Sequence, residues 1–166
     1  DLIQDGVDCV IRTGNLNDST LVSRRLGTLR WITCAAPSYL EEKGIPRGLP
    51  DLRAHQAVHY FSSTTRRASE LHFVEDGDRV TVPVPSTVAV NDTGLYIKLG
   101  IDGRGLIQLA EILVAEPLRA GDLVEVLADR RPAPVPVSLL YPHQRFLSPA
   151  MRAFADWTSE LFNNVC

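Results

Sequence analysis

Cysteine is scarce in this chain, with three in 166 residues. Cys9, Cys34 and Cys166 form no C-x-x-C pair and leave an odd count, which argues against a disulfide framework or a thiol-ligated metal. Cys9 and Cys34 lie inside apolar runs and read as small buried hydrophobes, consistent with a reducing cytoplasm. There is no basic excess: 17 Lys and Arg face 20 Asp and Glu, for a net charge of −3. That balance argues against this segment gripping a nucleic-acid backbone itself. No stretch approaches the roughly 18 apolar residues of a membrane span. Residues 1–20 carry no signal-peptide pattern.

Signatures of catalysis are missing too. No G-x-S-x-G elbow occurs, and no paired carboxylates flank a conspicuous corner, so no catalytic residue is assigned. His55 and His59 stand four apart but lack the glutamate of the zinc-protease motif, and the segment Val58-His59-Tyr60-Phe61 reads as extended. No metal and no cofactor are expected. Gly100, Gly103 and Gly105 have the wrong spacing and context for a nucleotide loop, and read as a helix stop plus a turn. The pairs Arg24-Arg25, Arg66-Arg67 and Arg130-Arg131 read as solvated surface. Of these, Arg66-Arg67 adjoins a polar corner and is best placed to attract an anion.

What is present is organised around residues 87–109. Val88 and Val90 form a strand, Asn91, Asp92 and Thr93 suit a helix start, and Leu95, Ile97, Leu99 and Ile101 supply a buried stripe. Gly100 and Gly103 end that helix, and Gly105-Leu106-Ile107 restarts an extended run. Around this unit the chain reads in order. Residues 1–6 look like the last turn of a helix, 7–11 a strand, 12–15 a polar corner, and 21–29 and 29–36 further strands. Pro37 opens a short helix closed by Gly44, with a loop over 45–54 and a strand over 57–61. Residues 71–75 and 79–83 form a hairpin across Asp76-Gly77-Asp78. A helix over 110–116, a strand over 122–127, a proline-rich connector and a strand over 137–141 follow. Ser148 and Pro149 start a last helix, with Met151, Phe154, Ala155, Thr158, Leu161 and Phe162 on one face.

This alternation indicates an α/β fold with largely parallel sheets. The long return before the last strand suggests two lobes with a ligand cleft between them. Three polar corners follow apolar strands: Arg12-Thr13, the run from Ser62 to Thr65, and Asn91-Asp92-Thr93. In open α/β sheets ligands sit beyond the carboxyl ends of strands. Hydroxyls, backbone N–H groups and one arginine there suit a carboxylate-bearing or polyhydroxy ligand.

The segments DLIQDGVDCVIRTGNLNDSTLVSRRLG, WITCAAPSYLEEKGIPRGLPDLRAHQAV, VNDTGLYIKLGIDGRGLIQLAEILVAEPLRAGDLVEVL and LLYPHQRFLSPAMRAF resemble, in this order, the effector-binding domain of LysR-type transcriptional regulators. The resemblance covers essentially the whole chain. It implies two Rossmann-like lobes of the type 2 periplasmic-binding-protein kind, the first lobe truncated at its N-terminus. Residues 1–29 and 139–166 would form lobe I, and 30–138 lobe II. A small, anionic metabolite would bind between the lobes. Arg12 and Thr13 would line the first wall, and Phe61, Ser62, Ser63, Asn91, Asp92 and Thr93 the second.

The resemblance also implies a cytoplasmic homodimer, tetrameric in the full-length protein, that reaches DNA only through an N-terminal winged helix-turn-helix outside this sequence. It implies no membrane partner. At Leu95-Tyr96-Ile97-Lys98 the chain carries bulkier residues than the family pattern, which would narrow the pocket. A periplasmic-type solute-binding protein shares the architecture and is the alternative.

Overall fold

A computed structural model describes residues 8–14, 21–62, 67–142 and 148–163. The elements run β1 (Val10–Thr13), β2 (Leu21–Leu29), β3 (Trp31–Ala35), α1 (Pro37–Lys43), β4 (Val58–Ser62), β5 (Arg67–Ala68), β6 (Leu71–Glu75), β7 (Asp78–Val82) and β8 (Val88–Val90). They continue with α2 (Thr93–Ile101), β9 (Ile107–Ala110), α3 (Ala115–Ala120), β10 (Val124–Val126), β11 (Val135–Pro142) and α4 (Pro149–Asn163). Short 3-10 turns occupy Leu49–Ala54, Glu111–Val114 and Ala128–Arg130. The chain divides into two compact units: Asp1–Arg30 with Pro134–Cys166, and Trp31–Ala133.

In the first unit β11 lies between β1 and β2, antiparallel to both. Leu26, Val137, Leu139 and Ala155 form its core. Ser148 caps α4 by accepting from the Met151 N–H at 3.2 Å, with Pro149 in the first turn as expected. Ala155 and Thr158 carry the buried face of α4, whereas Phe154 and Leu161 remain 39% and 44% exposed. An exposed ion pair, Arg24 to Asp156 at 2.7 Å, joins β2 to α4.

Arg12 and Thr13 do not form a corner. They are the last residues of β1, opposite Ser138 and Val137 of β11. The Gly14 N–H still donates to the Pro136 carbonyl at 2.9 Å, so the turn begins only at Gly14, whose φ is +100°. The expected helix end over residues 1–6 lies outside the described residues.

In the second unit β3 lies between β9 and β10, and β4 between β5 and β8. The expectation of largely parallel sheets is corrected here. Among the described residues only β4 and β8 pair in parallel, with one further parallel bridge between Ala57 and Leu106. Alternating strands and helices say how segments are built, not which become neighbours. Both neighbours of β3 come from much later in the chain and run against it. The hairpin of β6 and β7 forms as read, closed by Asp76 and Gly77 at φ +53° and +89°. Both residues are left-handed, which is why an Asp-Gly pair suits that turn.

Two further expectations shift. The helix over 110–116 is a 3-10 turn followed by α3, because Pro117 is tolerated only in a first turn and so places the helix start at Ala115. In α2 the buried stripe is Tyr96 and Gly100, one turn apart, while Leu95 is 48% exposed. The cause is Gly100: a Cβ there would stand 2.5 Å from Ile107 Cδ1, so a bare backbone lets α2 settle on β9.

Three groups of hydrogen bonds hang the second unit on the Gly105–Ala110 stretch. The Leu106 N–H donates to the Gln56 carbonyl, and the Val58 N–H to the Leu106 carbonyl, each at 2.9 Å. These bonds stitch the β9 sheet to the β4 sheet. The Gln108 side chain then holds the hairpin: its Nε2 donates to Thr33 Oγ1 and to the His72 carbonyl, each at 2.8 Å. Its Oε1 accepts from the His72 N–H at 2.9 Å. On the outer edge of β9 the Gln108 N–H donates to Tyr96 Oη at 2.9 Å, and that hydroxyl donates to the Gln108 carbonyl at 3.4 Å. Burial pushes the Tyr96 phenol up to about 12, so it stays neutral and keeps both roles.

Gly105 sits at φ +146°, and a Cβ would meet the Gln56 carbonyl oxygen at 2.7 Å. Gly105→Ala is therefore expected to lower unfolding free energy by about 2–3 kcal/mol in chemical denaturation. Gln108→Leu keeps an apolar body but strands three polar partners. It should cost about 2–4 kcal/mol and speed deuterium exchange at the His72 amide.

Candidate functional site

At the carboxyl ends of the parallel pair β4 and β8, Tyr60 stands opposite Val90. Phe61 follows Tyr60 on one strand, and Asn91, Asp92 and Thr93 follow Val90 on the other. Tyr60 Oη donates to the Asn91 carbonyl at 3.1 Å, which ties the two strand ends together. Asp92 caps α2: its Oδ1 accepts from the Leu95 N–H at 2.7 Å, and its carbonyl from the Tyr96 N–H at 2.9 Å. Such a cap contributes about 1 kcal/mol. It also puts a carboxylate of the chain itself at the positive end of the helix.

Next to this corner lies a cavity of about 340 Å³, whose described lining residues all belong to the second unit. Three aromatic residues from three elements reach it: Trp31 at the start of β3, Tyr60 of β4 and Tyr96 of α2. The two tyrosine rings meet edge to face, 5.6 Å apart at 85°. Leu71, Leu109 and Leu113 add apolar wall, and Ser69, Glu70 and Thr93 bring polar groups. The Gln108 clamp on His72 places β6 against this space, since Leu71 and His72 both line it.

One atom stands out. The indole Nε1 of Trp31 is buried and has no hydrogen-bond partner among the described residues. A buried donor left unpaired costs about 1–3 kcal/mol. Nearby Cys34 offers no chemistry, because burial, reinforced by the Glu125 charge, pushes its thiol up to about 12.

Of the residues expected to bind a ligand, Thr93 lines the cavity. Asn91 and Asp92 adjoin it in sequence, one as the acceptor of Tyr60 and the other as the cap. Phe61 is half-buried at the end of β4. Ser62 is the last residue of that strand, paired with Arg67. Arg12 and Thr13 are exposed strand residues of the other unit. Ser63 and Arg66 lie outside the described residues.

Sequence reasoning missed Trp31, Tyr60, Tyr96 and Gln108. The available signals were a glutamine inside the apolar run from Leu106 to Ala110, and a tyrosine four residues before a glycine on one helix face.

The comparisons with known proteins agree with one another. A family model described as the LysR substrate binding domain matches residues 1–163. The HTH-type transcriptional regulator YhjC of Escherichia coli K12 is 36% identical over 165 residues, covering 95% of this chain and 52% of that protein. An HTH-type transcriptional repressor of Pseudomonas aeruginosa is 32% identical over 161 residues, covering 97% of this chain and 51% of that protein. This chain thus spans about half the length of the curated relatives it matches.

In fold, the chain resembles the regulatory domain of CrgA, a LysR-type transcriptional regulator from Neisseria meningitidis. The TM-score is 0.81 at 24% identity, over 96% of this chain and 78% of that one. Among the described residues no helix is long and apolar enough to cross a membrane. The mixed α/β fold, the match across nearly every residue and the identity to HTH-type regulators converge: this chain belongs to the LysR substrate-binding domain family, and is an effector-binding regulatory domain rather than an enzyme.

Proposed function

We propose that this domain is the sensing half of a DNA-binding regulator and that its effector is a small anionic metabolite. The observation that carries this reading is the family match over residues 1–163. The names of the relatives, HTH-type regulators about twice as long as this chain, support it over the solute-binding alternative. The effector-holding residues are Arg12, Thr13, Phe61, Ser62, Ser63, Asn91, Asp92 and Thr93. Arg12 supplies the positive charge, and the hydroxyls supply donors that orient the ligand. The first lobe comprises residues 1–29 and 139–166, and the second 30–138.

The domain performs no chemistry on its guest. An effector that binds two arrangements of the protein unequally shifts their populations, and it shifts them only by that difference in affinity. A helix-turn-helix segment in the same polypeptide, in a homodimer that assembles into a tetramer, converts the shift into a change in DNA occupancy. Compartment follows from that role: the regulator works in the cytoplasm, where the DNA is.

A thermal-shift screen of small carboxylates and aromatic acids tests this. An effector at a hundred times its Kd adds about 2.7 kcal/mol of stability, a shift of several degrees in Tm. Arg12 is exposed on a strand, so Arg12→Ala should leave the unliganded Tm unchanged while weakening the effector roughly tenfold, as loss of a charge-assisted hydrogen bond requires. A panel without any stabilising anion, or unchanged affinity in Arg12→Ala by calorimetry, would refute the reading.

A further inference from the structure

We propose that the second unit carries a further ligand site, a cleft beside α1 that takes a small zwitterion with an ammonium and a carboxylate on one apolar body. This goes beyond the anionic-effector reading, since none of the residues assigned to that effector lines the cleft. The two places lie at opposite ends of the same elements. Thr87 precedes β8 and Arg104 follows α2, whereas Asn91 follows β8 and Thr93 opens α2. The nine residues of α2, at about 1.5 Å each, hold them about 13 Å apart.

The cleft encloses about 360 Å³, room for one small molecule where ligand pockets span about 300–1,000 Å³. Both signs of charge reach it. Glu42 and Lys43 stand side by side at the end of α1, paired through Glu42 Oε1 at 2.8 Å, which leaves Oε2 to accept from a guest ammonium. Both side chains are exposed, so their pair contributes little by itself and yields easily. Arg104 comes from the turn after α2, and among the described residues its guanidinium has no hydrogen-bond or ion-pair partner. Such a fork holds a carboxylate through two parallel bonds. Thr87 and Gln56 add uncharged polar groups, and Val88, Leu99 and the Tyr39 ring supply apolar wall. A plain anion would meet Glu42, and a plain cation would meet Lys43 and Arg104. A guest carrying both charges meets each with its opposite.

The frame is fixed before a guest arrives. Tyr39 Oη holds both backbone groups of Gln56, and Ser86 Oγ holds both of Val88, at 2.8 and 3.3 Å. The Arg104 N–H donates to the Leu99 carbonyl at 3.0 Å. Gly103, at φ +71°, would carry a Cβ 3.0 Å from Ser38 Oγ, so its bare backbone lets the turn lie against α1. Little ordering of the backbone then accompanies binding.

Leucine, 4-methylpentanoate and 3-methylbutylamine share one carbon body and carry both charges, the carboxylate alone and the ammonium alone. Titrated into the 166-residue chain at fixed ionic strength, leucine should saturate at millimolar concentration and shift the backbone amides of Thr87, Gly103 and Arg104 in a nitrogen-15 spectrum. Each analogue should bind there roughly tenfold more weakly, and Arg104→Gln should weaken leucine by a similar factor. Glu42→Gln should weaken leucine but strengthen 4-methylpentanoate, a reversal that loss of structure does not produce. The proposal is overturned if leucine leaves those amides unshifted or never saturates, or if either analogue binds as tightly. It is equally overturned if Glu42→Gln moves leucine and 4-methylpentanoate in the same direction. Arg12→Ala should leave leucine binding intact, so failure of the anionic effector and failure of this site are separate results.

Discussion

β9 is an edge strand, and an edge strand inside a folded unit needs partners for the backbone groups it does not share with a neighbour. Here one tyrosine hydroxyl does the work, accepting from the Gln108 N–H and donating to the Gln108 carbonyl. A neutral hydroxyl is suited to this because it is donor and acceptor at once. The same device recurs in this unit: Tyr39 Oη accepts from the Gln56 N–H at 2.8 Å and donates to the Gln56 carbonyl at 3.2 Å. Both tyrosines sit on helices, so each hydroxyl fastens a helix to extended backbone without a charge. Burial raises both phenols, which preserves the arrangement across the working pH range.

The consequence is that the cavity walls come from elements with separate apolar packing, held in register by polar contacts. Ile32, Cys34, Tyr96, Ile107 and Leu109 belong to one buried cluster, while Leu71, Phe73 and Leu106 belong to another. Hydrophobic burial supplies most of the stabilisation but has no direction, so it leaves open how a hairpin lies on a sheet. The Gln108 amide removes that freedom by binding the N–H and the carbonyl of one residue, His72. Partial loss of such a network is costly, because every stranded group is then a buried, unsatisfied one.

How much of this was legible in the residues depended on the range of the interaction. The Asp76-Gly77 turn, the Asp92 cap, the Ser148-Pro149 helix start and the Gly44 stop are local, and each forms where its residue types require it. Strand partnership is not local. Nothing within 31–35 says that β9 and β10 will flank it, so the direction of the sheet is not legible there. Polar residues after an apolar run usually mark a corner, which is the local expectation for Arg12 and Thr13. The length of β11, set far along the chain, decided that the strand continues. Hydropathy places Leu95 on the buried stripe, whereas the close approach at Gly100 and Ile107 turns Tyr96 inward instead. The family, by contrast, was legible because four long motifs in order carry far more information than any single pattern.

Charge decides what the corner at Asn91, Asp92 and Thr93 is able to recognise. A helix start attracts anions only while its first N–H groups are unclaimed, and Asp92 claims the one at Leu95 with its own carboxylate. A ligand carboxylate brought to the same place would compete with that cap and meet its repulsion. The hydroxyl-bearing side chain of Thr93 remains at the cavity wall as an uncharged hydrogen-bonding group. Recognition of an anion at this corner therefore needs a countercharge beyond the helix end itself.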